Sequence, residues 1–268
     1  MRAKDYLKKQ YDKTRNTLYW ERYKNARNEL DQLKAALSRL ESKLTTRLDD
    51  LTQAVRIKGS CAHHYKYGMR HDGVYIIDPD GLGSFNVRCD MTTNGGGWNV
   101  IQRRQDGSQD FYLGWSEYKA GFGDLNGEFW LGLDKIHRLS KSGQNVLRID
   151  LMDFNGAERY AKYGTFNVAD ESDKYRLGIG RYSGDAGDSL AYHNQMKFTT
   201  KDSDNDAWGS DCAHENKGAW WYKSCDYSNL NGLYLSAGQS SGTGIVWWKW
   251  QRNYSLKKTQ MKIRINQF

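Results

Sequence analysis

The segment Asp202-Ser-Asp204-Asn-Asp206-Ala-Trp208-Gly-Ser210-Asp-Cys212 sets three carboxylates at alternate positions and ends on a cysteine, with Cys225 thirteen residues further on. Like charges crowded into one loop repel unless a cation sits among them. Carboxylate and carbonyl oxygens in a pliable loop suit Ca²⁺, which gathers roughly six to eight oxygen ligands. The run Asp204-x-Asp206-x-Trp208-Gly209-x₅-Glu215 also matches much of an EF-hand loop, with Gly at the sixth position and Glu at the twelfth. Against that, the fifth position is a Trp, a cysteine lies inside the loop, and no helix pair flanks it. Catalytic patterns are lacking: the six His have no metal spacing, no Ser/His/Asp set emerges, and Gly178-x-Gly180 with Gly184 misses the dinucleotide spacing. The chemistry on offer is binding, and the chain reads as a non-enzyme.

The cysteines are Cys61, Cys89, Cys212 and Cys225, which allow three pairings. Sequence neighbours, 61 with 89 and 212 with 225, close the shortest loops. A four-cysteine Zn site is the rival, but the intervals of 28 and 13 contain no Cys-x₂₋₄-Cys pair. Disulfides place the protein outside the reducing cytosol, secreted and extracellular. Met1-Arg-Ala-Lys-Asp5 has no apolar signal core, so secretion implies a natural start upstream of this stretch.

The chain must also build something to carry that loop. Its 268 residues suffice for one sizeable domain and an extension; Gly is abundant (27), Pro79 is the single proline, and aromatics reach 13% with ten Trp. Such a composition suits a loop-rich fold filled by large rings. The net charge of +8 is unevenly placed. Residues 1–58 carry fifteen Lys/Arg against eight Asp/Glu, whereas residues 59–268 carry twenty-five against twenty-four. The basic excess belongs to the extension, so nucleic-acid binding by the larger part is not indicated. No apolar run is long enough to span a membrane.

Residues 1–57 contain neither Gly nor Pro, and Tyr23, Ala26, Leu30, Leu33, Leu37, Leu40 and Leu44 alternate in steps of three and four. That is a coiled-coil seam. Leu48, Leu51 and Val55 follow after one step of four where three was due, a stutter that unwinds the supercoil locally. A self-associating helix over 1–57 is predicted, ended by Gly59. Leu at both seam positions leaves dimer and trimer open. From 58 to 268 the pattern becomes short strands and turns: Gly73–Ile77, Ser84–Cys89, a hairpin around Asn94-Gly95-Gly96-Gly97 before Trp98–Ile101, then 146–151 and 261–265, with helical pieces between Gly114 and Asp134. The predicted fold class is α+β, a central antiparallel sheet with long functional loops, preceded by a helical coiled coil.

On these residues the chain resembles the fibrinogen-related domain family, which includes ficolins, tachylectins, tenascins, angiopoietins and the fibrinogen chains. The resemblance runs through 59–268 and rests on Gly95-Gly-Gly-Trp98-Asn-Val-Ile-Gln-Arg103-Arg104, Tyr118-Lys-Ala-Gly121-Phe-Gly123, Glu128-Phe-Trp130-Leu-Gly132-Leu-Asp134, Tyr182-Ser-Gly184-Asp-Ala-Gly187-Asp188, Asn229-Leu-Asn231-Gly232-Leu-Tyr234, and Tyr254-Ser255 with Met261-Lys-Ile-Arg264. It implies a non-enzymatic recognition domain on a coiled coil, with a trimer favoured over a dimer. It also implies Ca²⁺ held by the side chains of Asp204 and Asp206 and the backbone carbonyls of Trp208 and Ser210, while Asp202 contributes field only.

The ligand pocket implied by the resemblance lies beside that loop, near Ser224 and Cys225, whose peptide bond would be cis. In acetyl-binding lectins of the family an aromatic cage holds the methyl. Here Asn216 replaces a cage tyrosine and Asp226 replaces the histidine after the second cysteine. The stretch Ser236–Thr243 is short and lacks tyrosine, and a shortened Trp247–Tyr254 stretch leaves Arg252 near the last aromatic position. Trp221, Trp248 and Trp250 are the candidates to rebuild an apolar wall, although Trp220 and Trp221 suit the core better. Asn253-Tyr-Ser255 is a glycosylation sequon on the same face. The expected function is multivalent, Ca²⁺-dependent, lectin-like binding of glycans or acetylated groups in defence. The alternative is a matrix or receptor ligand that recognises an extracellular protein, with clot formation behind both.

Overall fold

The computed structural model describes residues 3–57, 59–236, 239, 241–252 and 254–266, with side chains of 52–57 set aside. It divides into two compact units, Met1–Val55 and Arg56–Phe268. The first is one helix, α1 (Ala3–Ile57), uninterrupted because nothing in its sequence removes a backbone donor or favours a turn. Its seam is fully presented: Leu30, Leu33, Leu37, Leu40, Leu44, Leu48 and Leu51 are all at least half exposed in the single chain. Near its start Trp20 meets Tyr23 edge-to-face, with ring centroids 5.5 Å apart. Gly59 follows the helix at φ +127°, a conformation that side-chain-bearing residues avoid.

The second unit opens with a short helix α2 (Cys61–Lys66), then strands β1 (Gly73–Ile77), β2 (Phe85–Asp90) and β3 (Trp98–Arg104). Helix α3 (Trp115–Ala120), the small strands β4 (Phe122–Gly123) and β5 (Phe129–Trp130), and helix α4 (Leu133–Lys141) come next. Long strands β6 (Asn145–Met152), β7 (Glu158–Val168) and β8 (Leu177–Gly184) precede a loop-rich stretch holding helix α5 (Cys212–Asn216) and the pair β9 (Ser228–Asn229) and β10 (Val246–Trp247). The last strand, β11 (Lys258–Ile265), returns to the middle of the sheet, whose order is β1-β2-β3-β11-β6-β7-β8, antiparallel throughout.

The strands expected at 73–77, 84–89, 98–101, 146–151 and 261–265 are all present, and the hairpin forms with Arg88 opposite Val100. β7 and β8, which complete one side of the sheet, were not read from the sequence. Their glycines and polar residues, as in Leu177-Gly-Ile-Gly-Arg-Tyr-Ser-Gly184, mask the alternation that marks a half-buried strand.

Alternation in β6 sends Leu147, Ile149 and Leu151 inward to a core that also buries Trp98, Trp130, Trp220, Trp221 and Trp247. Cys61 and Cys89 are bonded, with Cα atoms 5.5 Å apart, tying α2 to β2. On β11 the Lys262 ammonium is withdrawn from water between two carboxylates, 2.6 Å from Asp90 and 2.6 Å from Asp150. Burial of Asp90 would raise its pKa, but the Lys262 charge and hydrogen bonds from Lys262 and Thr93 outweigh it and pull the group down to about 2. A β-bulge between Met261 and Lys262 aims that side chain.

Removing the ammonium while keeping the stem, Lys262→Met, strands the buried Asp90 carboxylate and is expected to cost about 3–5 kcal/mol, measured by denaturant unfolding. In the wild type the stabilisation of Asp90 is complete above its ordinary 3.8 and disappears as the pH falls from there toward 2. The deficit of the variant should therefore shrink in acid.

Candidate functional site

Between Gly184 and Lys257 the chain makes little regular structure, so side chains must answer its backbone groups. His193, fully buried, does this for the loop around the second disulfide. Its Nδ1 lies 2.8 Å from the Trp221 carbonyl, and its Nε2 accepts the backbone N–H groups of Tyr227 and Ser228, each at 3.1 Å. Those two donors fix the tautomer: Nε2 is the acceptor and Nδ1 carries the proton. Burial pushes the imidazole pKa down to about 4, so the ring is neutral at physiological pH. Cys212 and Cys225 are bonded, with Cα atoms 5.3 Å apart, and the Ser224–Cys225 peptide is cis. Helix α5 begins where the Asp211 carboxylate caps the N–H groups of Ala213 and His214, and it ends at Lys217 in the left-handed region.

The acidic loop is wound around Asp206. One Asp206 carboxylate oxygen accepts the Trp208 N–H at 2.8 Å and the other accepts the Cys212 N–H at 2.9 Å, while Asp204 accepts the Asp206 N–H at 3.1 Å. Asp202 is engaged elsewhere, accepting from the Trp115 N–H at 2.8 Å and the Thr200 hydroxyl at 2.7 Å. Burial raises the pKa of Asp206, and the neighbouring Asp204 charge adds to the rise although the two N–H donors oppose it. Ionised Asp206 is thus under-compensated by protein groups. Among the described residues the Trp208 and Ser210 carbonyls accept no hydrogen bond. The Asp204 and Asp206 carboxylates and these two carbonyls are hard-oxygen donors of the type Ca²⁺ takes. Among the described residues there is no cluster of three or more His, Cys, Asp or Glu that could hold a metal ion, so a metal here would depend on backbone carbonyls and water as well as the two carboxylates.

The residues expected at the ligand pocket fall into three groups. Asn216, Ser224, Cys225 and Asp226 lie on or beside the disulfide loop. Asn216 is buried, and its side-chain N–H₂ has no partner among the described residues. Asp226 is largely withdrawn from water, which pushes its pKa up to about 6, and no basic group lies within salt-bridge range among the described residues. Trp248 and Arg252 form a second group: the guanidinium carbon of Arg252 stands 4.3 Å from the Trp248 ring centroid, and Trp250 packs partly against the core. Trp221 is the correction. It is completely buried, donates to the Tyr175 carbonyl at 2.8 Å and packs edge-to-face on Phe198, so it walls no pocket. Trp220 is likewise in the core. Asn253 lies outside the described residues, as do Ala237, Gly238 and Ser240 of the short segment before Thr243.

Two aromatic residues at this face had no signal in the sequence. Tyr192 stacks on Tyr227 with ring centroids 4.4 Å apart, and Tyr227 lies parallel to Trp248 at 5.6 Å. The three rings come from separate loops, and no periodicity connects positions 192, 227 and 248.

Replacing His193 with Phe leaves the Trp221 carbonyl and the Tyr227 and Ser228 N–H groups unanswered, at a cost of about 3 kcal/mol, read by thermal unfolding at pH 7.5. In the wild type the folded pKa lies below the ordinary 6.5, so the contribution of the imidazole is complete above 6.5 and is lost as pH falls toward 4. The stability gap between variant and wild type should narrow over that interval; a gap independent of pH would contradict a neutral buried His193.

Residues 57–266 match the family model for the C-terminal globular domain of fibrinogen beta and gamma chains. Fibrinogen C domain-containing protein 1-A of Xenopus laevis is 51% identical over 212 residues, covering 76% of this chain and 46% of that protein. Angiopoietin-related protein 7 of Bos taurus is 47% identical over 215 residues, covering 78% of this chain and 62% of that protein. The chain therefore spans less than two thirds of the length of these curated relatives. Among solved structures, the fibrinogen-like globe domain of human ANGPTL6 superimposes with a TM-score of 0.75 at 42% identity, covering 78% of this chain and 96% of that one. With the antiparallel sheet and the disulfide loop it carries, this chain belongs to the fibrinogen C-terminal globular domain family.

Proposed function

We propose that the protein is an extracellular, self-associating ligand whose fibrinogen-like domains recognise a protein partner through the face around Cys212–Cys225. The domain is a non-enzymatic binding module. The observation that carries the proposal is the burial of Trp221: Asn216 stands at a cage-tyrosine position and that indole is in the core, so neither supplies a ring to hold an acetyl methyl. The likeness to angiopoietin-related protein 7 and to the ANGPTL6 globe supports a ligand of that kind over an acetyl lectin. No described helix is long and apolar enough to cross a membrane. The exposed leucine seam of α1 supports a coiled-coil homo-oligomer, a trimer in our reading, which turns several weak sites into one avid one.

The proposal includes a Ca²⁺ ion held by the Asp204 and Asp206 side chains and by the carbonyls of Trp208 and Ser210. The ion would supply the positive charge that the loop lacks and brace it behind the recognition face; the residues themselves orient the loop through the N–H groups that Asp206 already gathers.

Binding of the labelled protein to cultured cells tests the partner class. Retention should be lost after protease treatment of the cells and survive glycosidase treatment. Loss to glycosidase alone, or capture on beads bearing acetylated sugars but not on matched non-acetylated ones, would return the protein to the lectins. For the metal, Ca²⁺ at about a hundredfold excess over its Kd should stabilise the domain by about 2.7 kcal/mol, roughly 5–10 °C in Tm for a domain of this size. Chelator should reverse the shift, and an Asp204→Ala/Asp206→Ala variant should lack it.

A further inference from the structure

The column Tyr192–Tyr227–Trp248 beside the disulfide loop is a built feature. Its rings are parallel within 15° and 5° at successive contacts. The Tyr192 hydroxyl donates to the Ser224 carbonyl at 3.1 Å, which ties that ring, while the backbone N–H groups of Tyr227 and Trp248 donate to His193 and to the Tyr227 carbonyl (2.9 Å), which hold the backbone under the other two. A cation accompanies every ring. The Lys223 ammonium lies 5.2 Å from the Tyr192 centroid, Lys249 lies 5.9 Å from Tyr227, and the Arg252 guanidinium 4.3 Å from Trp248. All three cations are exposed, and none has a carboxylate within 4.0 Å among the described residues.

This arrangement discriminates between ligand classes. Sugars bind aromatic residues by laying C–H groups on a ring face, but here the faces are engaged by neighbouring rings and by cations. What the column offers outward is ring edges, the positive rim of the aromatic quadrupole, together with three unpaired cationic heads. Both attract anions. Asp226, next to Cys225, makes no ion pair with them among the described residues. Tyr, Trp and Arg in a pre-ordered cluster are also the residue types that carry protein–protein binding energy.

We propose that the Tyr192–Tyr227–Trp248 column with Lys223, Lys249 and Arg252 is a docking surface for an acidic segment of a protein partner, whose Asp or Glu carboxylates pair with the three cations. This rests on the reading of the partner as a protein and names its chemistry.

The test uses the full chain and a fluorescent peptide rich in Asp and Glu, its Asn/Gln counterpart, and heparin, compared by anisotropy at low and physiological salt. Three proteins are read in parallel: the wild type, Lys223→Gln/Lys249→Gln/Arg252→Gln, and a charge-matched control, Lys8→Gln/Lys9→Gln/Lys13→Gln, on α1. The acidic peptide should bind the wild type and the control alike, and bind the face variant about tenfold more weakly, with an unchanged melting temperature. The proposal is overturned if the Asn/Gln peptide binds equally, if the α1 control loses as much as the face variant, or if heparin alone is retained. The cell-binding assay separates the two readings: protease-sensitive binding that the face variant keeps would remove the column and leave the protein partner standing, whereas glycosidase-sensitive binding would remove both.

Discussion

The recognition half of this domain is held together by buried polar side chains that take the place of secondary structure. A backbone that runs for some seventy residues with few ladder hydrogen bonds would be too costly to bury unless its N–H and C=O groups found other partners. Arg104 and Gln102 on β3 reach the carbonyls of Leu230 and Gly232, Asn229 reaches the Asn216 carbonyl, and Asn231 reaches that of Ala219. His193 performs the same service for Trp221, Tyr227 and Ser228. The carboxylate of Glu128, fully buried, accepts the N–H groups of Gln105, Asp106 and Gly107 and faces the Arg104 guanidinium at 3.8 Å. The sheet is thus the source of the donors and acceptors that shape the loops above it.

This explains why the site is both irregular and well defined. The disulfide fixes the two ends of the Cys212–Cys225 loop, but its interior geometry follows from neutral His193 and from Asp211 capping α5. The acidic loop is organised in the same manner, with Asp206 gathering N–H groups from both sides while Asp202 is spent on Trp115. Tryptophans divide by the same logic. Trp220 and Trp221 find partners for their indole N–H inside the core and stay there, whereas Trp248 stacks at the surface.

Binding rather than catalysis is the natural use of such a surface. Many of its polar groups are committed to holding backbone, and Lys223, Lys249 and Arg252 are left exposed beside aromatic rings.

Local chemistry made a good part of this legible beforehand. The helix 3–57 follows from a Gly- and Pro-free heptad pattern, the outer strands from alternation and turn residues, and the disulfides from four cysteines with no metal spacing. β7 and β8 escaped because Gly and polar residues hide the period of a strand whose stability comes from its neighbours. The Trp221 reading failed for a related reason: Trp-Trp-Tyr at 220–222 declares large rings but not their direction, and only packing against Phe198 and Trp220 turned this one inward. The column of Tyr192, Tyr227 and Trp248 was decided wholly by tertiary structure. Ring stacking needs centroids brought within a few ångströms from loops far apart in sequence, and nothing local in the chain encodes that approach.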